Sequence, residues 1–329
     1  MINNKLKYQQ LADYIIQKIE AGELNLGDQI PSIKQLQHKF LMSKETLLKG
    51  LGYLVEKGII ESVYRKGYFV KTMNTQHHYR VFLLLDKMNI LREELYKSLI
   101  KNLQSKGEID IFFHHHNYQV FKKLITENIG EYTHYVIATF INEDLRDVLN
   151  LIPEKKLIII DLKEEGLQGN NSCIYQDYGY DIYKGLLKLR AELSKYKRLI
   201  LVHHPEAVHG KLVISGFLKF CNEMEFPYKI QSNIDEKSFH SGDAYVTFSR
   251  FDTDDVTLIK LTRKKNLQLG KDIGLLSYND SEVKEILEGG ITVISTDFKK
   301  MGESIATAIL EDKIIIRKNP TRVIKRRSL

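Results

Sequence analysis

Apolar residues recur with a helical period over roughly the first sixty positions, then pair off in two short extended stretches. Past residue 80 they gather into short unbroken runs. From Tyr8 to Ala21, Leu11, Tyr14, Ile15, Ile16 and Ile19 share one helical face, and Gly22 supplies the stop. The turn-rich GELNLGDQIPS follows, in which Pro31 forces Ile30 into extended backbone and opens a second helix over about 32–40. A third helix is predicted over 43–56. The Ser43 hydroxyl can cap the amide of Glu45 or Thr46, residues 47, 48, 51, 54 and 55 form its apolar face, and Lys57 and Gly58 close it. IIESVY and GYFVKT then read as a hairpin with Arg65, Lys66 and Gly67 at its tip.

From residue 79 on, VFLLLD, YVIATFI, LIIIDL, RLILVHH, AYVTFS and DIGLLSYN alternate with amphipathic stretches such as ILREELYKSLIKNLQS and GYDIYKGLLKLRAELSKY. Short runs buried on both faces, alternating with helices, predict parallel sheets in an α/β fold. Ligands in such folds sit at the carboxyl ends of the strands. Here those ends are Asp86, 140–142, Asp161, 203–205, 249–252 and 278–280.

Charge separates the two regions. Residues 1–80 hold 12 Lys or Arg against 7 Asp or Glu, residues 81–312 hold 30 against 35, and the last 17 residues add seven basic groups and no acid. A basic head on a mildly acidic body suits a head that meets nucleic acid and a body that meets something else. A length of 329 residues accommodates about two domains, and 43% hydrophobic with 28% charged residues is an ordinary globular balance. No run of eighteen uncharged apolar residues and no signal-peptide core occurs, so the expected location is the cytoplasm, with no membrane partner. Cys173 and Cys221 stand far apart and read as free thiols, and no cofactor is expected.

Three helices followed by a basic hairpin describe a winged helix-turn-helix over residues 1–72. Lys44, Glu45 and Thr46 face the major groove, and the hairpin tip meets backbone or minor groove. The stretch from YQQLADYIIQKIEAGELNLGDQIPS through the serine-led third helix to RKGYFV resembles the DNA-binding domain of GntR-type bacterial transcription regulators. That resemblance implies DNA contact by Lys34, Ser43, Lys44, Thr46, Arg65, Lys66 and Gly67. Lys44 and Leu48 stand where the family usually carries arginines, which implies more reliance on phosphate and shape than on base edges.

After a linker at 73–78, the segments KRLILVHHPEAVHGKLVISGFLKFCNEM, GKDIGLLSYND, ITVISTDFKKMGESIATAIL and TRVIKRRSL are similar to the effector-binding domain of LacI-type repressors. The resemblance implies a type I periplasmic-binding-protein-like domain over 79–329, with a ligand between two lobes. The first lobe would hold about 79–188 plus a returning segment near 298–315. The implied pocket positions are Asn89, Leu91, Arg92, Asp177, Lys211, Val213, Arg250 or Phe251, Asn279 and Thr296. Polar groups fanned around a ring, with Phe251 or Tyr175 covering a face, suit a monosaccharide. GntR-type heads on LacI-type bodies resemble arabinose-type repressors. This implies a homodimer on operator DNA, released by a pentose or deoxyhexose or its phosphate.

His114 to His116 and His203, His204 and His209 lack the helical spacing of a zinc hydrolase, and no GxGxxG, GxxxxGK[ST] or nucleophile-elbow motif occurs. An alternative remains at this level, in which the body is a sugar-binding or enzymatic α/β protein and the head a protein-interaction module.

Overall fold

A computed structural model describes residues 7–73, 79–104, 106–248 and 253–329, so residues 74–78 of the expected linker lie outside the described residues. The head contains α1 (Lys7–Glu20), α2 (Ile33–Phe40), α3 (Lys44–Glu56), β1 (Ile60–Val63) and β2 (Gly67–Val70). Leu11, Ile15, Ile19, Leu36, Leu47, Leu51, Leu54, Ile59 and Val70 close its core. The expected apolar face of the third helix is narrower than its leucine count. Leu48 and Val55 stay exposed because they lie outside the stripe that α1 covers. Ser32 forms a capping box with Gln35, which starts α2 two residues after Pro31 turns the chain. Backbone bonds from Val70 N to Asp28 O (2.9 Å) and Ile30 N to Tyr68 O (2.8 Å) stitch the segment before Pro31 to the wing.

The body holds two six-stranded sheets. The first lobe is built from β3 (Tyr79–Leu85), α4 (Ile90–Leu103), β4 (Gly107–Phe113), α5 (Tyr118–Glu127), β5 (His134–Ala138), α6 (Arg146–Leu149), β6 (Leu157–Asp161) and β7 (Ser172–Tyr175). The chain then enters the second lobe with α7 (Tyr178–Lys188), α8 (Arg190–Leu193), β8 (Arg198–Val202), α9 (Gly210–Glu223) and β9 (Tyr228–Gln231). There follow β10 (Asp243–Thr247), α10 (Thr253–Lys264), β11 (Gly274–Tyr278), α11 (Glu282–Ile286) and β12 (Thr292–Thr296). It returns to the first lobe through α12 (Phe298–Glu311) and β13 (Ile316–Lys318), and ends in the second with β14 (Thr321–Ile324). Strand orders are β13-β7-β6-β5-β3-β4 and β14-β12-β11-β10-β8-β9, and among the described residues of these two sheets only β14 runs antiparallel. Three crossings, near Gln176, Asp297 and Asn319, therefore join the lobes.

The first lobe ends earlier than the expected residue 188. Tyr178, Ile182 and Leu186 of α7 pack with α9 in the second-lobe core, and the amphipathic period could not say which sheet that face would meet. Gly216 of α9 approaches the carbonyl of Gly179 so closely that a Cβ there would lie 2.0 Å from the oxygen. The returning segment runs through β13, past residue 315. Strands β4 and β9 fall outside the apolar runs because they are sheet edges with polar positions, GEIDIFF and YKIQ.

Candidate DNA interface and interlobe cleft

Ser43 caps α3. The Thr46 amide donates to Ser43 Oγ at 3.3 Å, and the two hydroxyls lie 2.9 Å apart. This geometry leaves the first turn of α3 projecting from the domain with Lys44 and Glu45 exposed, at the end where the helix dipole is positive. Lys34 is exposed on α2, and Arg65 and Lys66 are exposed at the wing turn. Arg65 (φ 57°) and Gly67 (φ 109°) give that turn its left-handed backbone, and Gln29 Nε2 donates to Lys66 O at 2.6 Å to hold it. The Arg65 guanidinium lies 5.1 Å from the Tyr64 ring, itself 82% exposed. Among the described residues none of Lys34, Lys44, Arg65 or Lys66 is paired with a carboxylate, so their charge is available to a polyanion.

In the body, the polar groups meet at the carboxyl ends of β3, β6 and β12. Arg92, 4% exposed, donates from Nε (3.0 Å) and Nη2 (2.8 Å) to Asp86 Oδ1, and the same Nη2 lies 2.7 Å from Asp161 Oδ2. Burial alone would disfavour its charge, but Asp161 and Asp86 outweigh that and raise its pKa well above the usual value. Burial pushes the Asp86 carboxyl up, and Arg92 prevails and holds it below the usual carboxylate range. Gln176 Nε2 donates to Asp161 Oδ1 (2.6 Å), and Thr296 Oγ1 donates to Gln176 Oε1 (2.7 Å). One bonded chain therefore runs from the first lobe across two crossings into the second. Arg92 Nη1 is buried without a partner among the described residues, and the guanidinium carbon lies 5.5 Å from the Phe140 ring centre and 5.9 Å from that of Phe298.

Above this floor lies an aromatic layer from both lobes. His209, at the start of α9, stacks on Tyr178 (4.6 Å between centroids, 21°). It meets Phe140 of the first lobe edge-on at 6.0 Å and Phe248 at 5.8 Å. Phe248 stacks in turn on Tyr278 at 4.5 Å. Burial first, and then His203, push His209 down to about 4, so it is neutral at physiological pH. Left-handed backbone at His115, His116, Asp161 and Asn279 also falls at strand ends facing this cleft.

The expected pocket residues divide by role. Asn89 caps α4 by accepting from Arg92 N (2.9 Å), and Asp177 caps α7 by accepting from Tyr180 N (3.0 Å). Leu91 packs on the first-lobe core, Val213 is buried in the second, and Lys211 is exposed on α9. Asn279 Oδ1 accepts from Thr296 N at 3.1 Å, which ties β11 to β12. Tyr175 is half-buried with Lys163 Nζ 5.9 Å from its ring. Arg250 and Phe251 lie outside the described residues. Sequence reasoning marked Asp86, Asp161, Phe140 and Tyr278 only as strand ends and missed Gln176, Tyr178 and Phe248. The available signal was an acid terminating a buried run, as in LLLD and IIID. His114 bonds the carbonyl of Ala138 (3.2 Å), and no group of three or more His, Cys, Asp or Glu among the described residues could hold a metal.

Part of the basic tail is used internally. Arg326 makes a two-pronged pair with Asp280 (2.7 and 2.9 Å), Lys325 pairs with Glu192 (2.5 Å), and Ser328 Oγ donates to the carbonyl of Leu275 (2.5 Å).

Residues 7–70 match the family described as bacterial regulatory proteins, gntR family. The head is 40% identical over 70 residues to the mannosyl-D-glycerate transport/metabolism system repressor MngR of Escherichia coli (strain K12). That match covers 21% of this chain and 29% of the relative's length. The body is similar to a solved LacI family transcriptional regulator from Lactobacillus casei with bound glucose (TM-score 0.61, 13% identity, 76% of this chain and 100% of that one). It is also similar to the lac repressor dimer bound to operator and the anti-inducer ONPF (TM-score 0.63, 13% identity, 76% and 94%). The chain thus joins a gntR-family helix-turn-helix domain to a body with the type I periplasmic-binding-protein and LacI fold.

Proposed function

We propose that this gntR-family head on a LacI-type body is a transcription regulator, in which a small molecule held between the lobes controls binding of the head to operator DNA. The observation that carries the reading is the first turn of α3. It is capped by Ser43, projects Lys44 from the domain, and stands with an exposed wing at Arg65 and Lys66 whose charges no carboxylate among the described residues neutralises. Lys34, Lys44, Arg65 and Lys66 supply charge to phosphates, while Ser43, Thr46 and the Gly67 backbone shape the edge that meets the groove. Lysine at 44 and leucine at 48 leave little bidentate base readout, so phosphate contact carries most of the affinity.

The effector is a neutral polyhydroxylated ring, a pentose or deoxyhexose class of monosaccharide. Two carboxylates against one guanidinium at the described cleft floor disfavour a sugar phosphate. Arg92 Nη1 offers a donor, and Phe140 and His209, the second backed by Tyr178, offer aromatic edges and faces for the C–H side of a sugar. Asn89, Leu91, Asp177, Lys211, Asn279 and Thr296 frame the cleft, with Arg250 and Phe251 as candidates beyond the described residues. The protein binds as a homodimer on a two-fold operator, and ligand closure favours the conformer that releases DNA. The protein is read as a binder and not an enzyme, and its place is the cytoplasm, where operator DNA is found.

A salt titration of duplex binding tests the first half. Affinity falling steeply with salt, with a log–log slope of several units, supports phosphate contact, and a flat response refutes it. For the second half, a melting-temperature screen against neutral monosaccharides and their phosphates should find stabilisation among the neutral sugars.

A further inference from the structure

The far end of α3, away from the proposed groove, meets the body. Lys57, the residue that closes α3, lies 5.7 Å from the Tyr53 ring and 5.2 Å from the ring of Tyr79, the first residue of β3. Tyr79 is buried and tilts against buried His134 at 5.7 Å. Asp312, just past α12, is near enough to add to the burial that raises the phenols of Tyr53 and Tyr79.

The same place is reached from the cleft. Helix α12 starts at Phe298, 5.9 Å from the Arg92 guanidinium, and its 14 residues span about 21 Å to Asp312. Helix α4 begins at the cleft with Asn89 and Arg92 and runs beside it. Ser98 Oγ donates to Lys299 O (2.7 Å), and a Cβ on Gly302 would lie 2.5 Å from Leu95 O, so the pair cannot slide without repacking.

We propose that the C-terminal end of α3 docks on the base of the first lobe, with Lys57 between Tyr53 and Tyr79, and that α4 and α12 carry cleft movements to this contact. The proposal rests on α3 being the DNA-reading helix. It makes the head part of the first lobe's rigid body, where it would otherwise be a tethered, freely turning domain.

The chain has no tryptophan, so Leu48→Trp on the exposed face of α3 gives a single reporter. Time-resolved anisotropy should show the head tumbling with the whole molecule in that background and with Lys57→Arg, and a faster component with Lys57→Gln. A fast component already present in the Leu48→Trp protein, or equal in the Arg and Gln variants, overturns docking.

Duplexes selected from a random library by the unaltered protein supply the second arm. Lys57→Gln should bind them about 3- to 10-fold more weakly than Lys57→Arg, with an unchanged salt slope. Equal affinities overturn the coupling, and so does a slope reduced by about one, which marks Lys57 as a phosphate contact. If no duplex is selected, the DNA-reading assignment fails and the coupling falls with it, while the anisotropy result alone decides the docking.

Discussion

Replacing Arg92 by methionine keeps most of the side-chain volume and removes the only cation that touches both Asp86 and Asp161 among the described residues. In the intact protein one Nη2 lies 2.8 Å from Asp86 and 2.7 Å from Asp161, which puts those two carboxylate oxygens no more than 5.5 Å apart. The variant leaves two nearly inaccessible carboxylates facing each other. Breaking a buried ion pair from one side costs about 3–5 kcal/mol, because the remaining charge keeps its desolvation penalty. For a domain of this size that is a fall in melting temperature of about 6–20 °C at neutral pH.

The pH dependence separates this cause from lost packing. Unpaired carboxylates have raised pKa values in the folded variant, so protonation relieves them as pH falls, and the deficit should shrink between about pH 7 and pH 4.5. Adding Asp161→Asn to Arg92→Met should recover part of the loss. Scanning calorimetry at both pH values is the assay. A fall of under 3 °C, or a deficit of equal size at both, would falsify the assignment of Arg92 as the ion that holds the cleft floor.

Other outcomes follow from single features. Lys44→Ala should weaken duplex binding almost uniformly across sequences and lower the salt slope by about one, measured by fluorescence titration. A changed sequence preference at constant slope would place Lys44 on a base edge. Gly216→Ala sets a Cβ 2.0 Å from Gly179 O and should cost about 1–3 kcal/mol by denaturant unfolding, so a neutral result would mean that α7 and α9 cross elsewhere. Burial pushes both His114 and His134 down to about 4, so the folded chain keeps them neutral while the unfolded chain protonates them below about 6.5. Stability should therefore fall as pH drops from about 6.5 to 4, by up to about 1.4 kcal/mol per unit for each group. His114→Gln should flatten that slope, and an unchanged acid limb would count against it.

Much of the head was legible because its signals are local. A capping serine, a proline-set turn, a helical stripe of leucines and a basic hairpin act within a few residues, where backbone sterics and short-range hydrogen bonds decide the outcome. The α/β class of the body was legible for the same reason. Runs such as VFLLLD and LIIIDL must be buried on both faces, and only sheets covered by helices allow that. The edge strands β4 and β9 were not legible, since alternating polarity on a short segment does not distinguish an edge from a loop.

Tertiary structure decided the site. The family resemblance implies only that Arg92 is a polar pocket position. Only the fold brings Asp161, 69 positions along, against the nitrogen that already holds Asp86, and so turns most of the guanidinium inward. Likewise Asn89 and Asp177 look like free polar groups until each is seen to cap a helix, and His209 becomes part of a cross-cleft aromatic layer only once α9 is laid against Phe140. Local sequence sets what each segment can form. Which polar groups satisfy one another depends on long-range closure, where an unpaired buried charge costs more than any propensity can return.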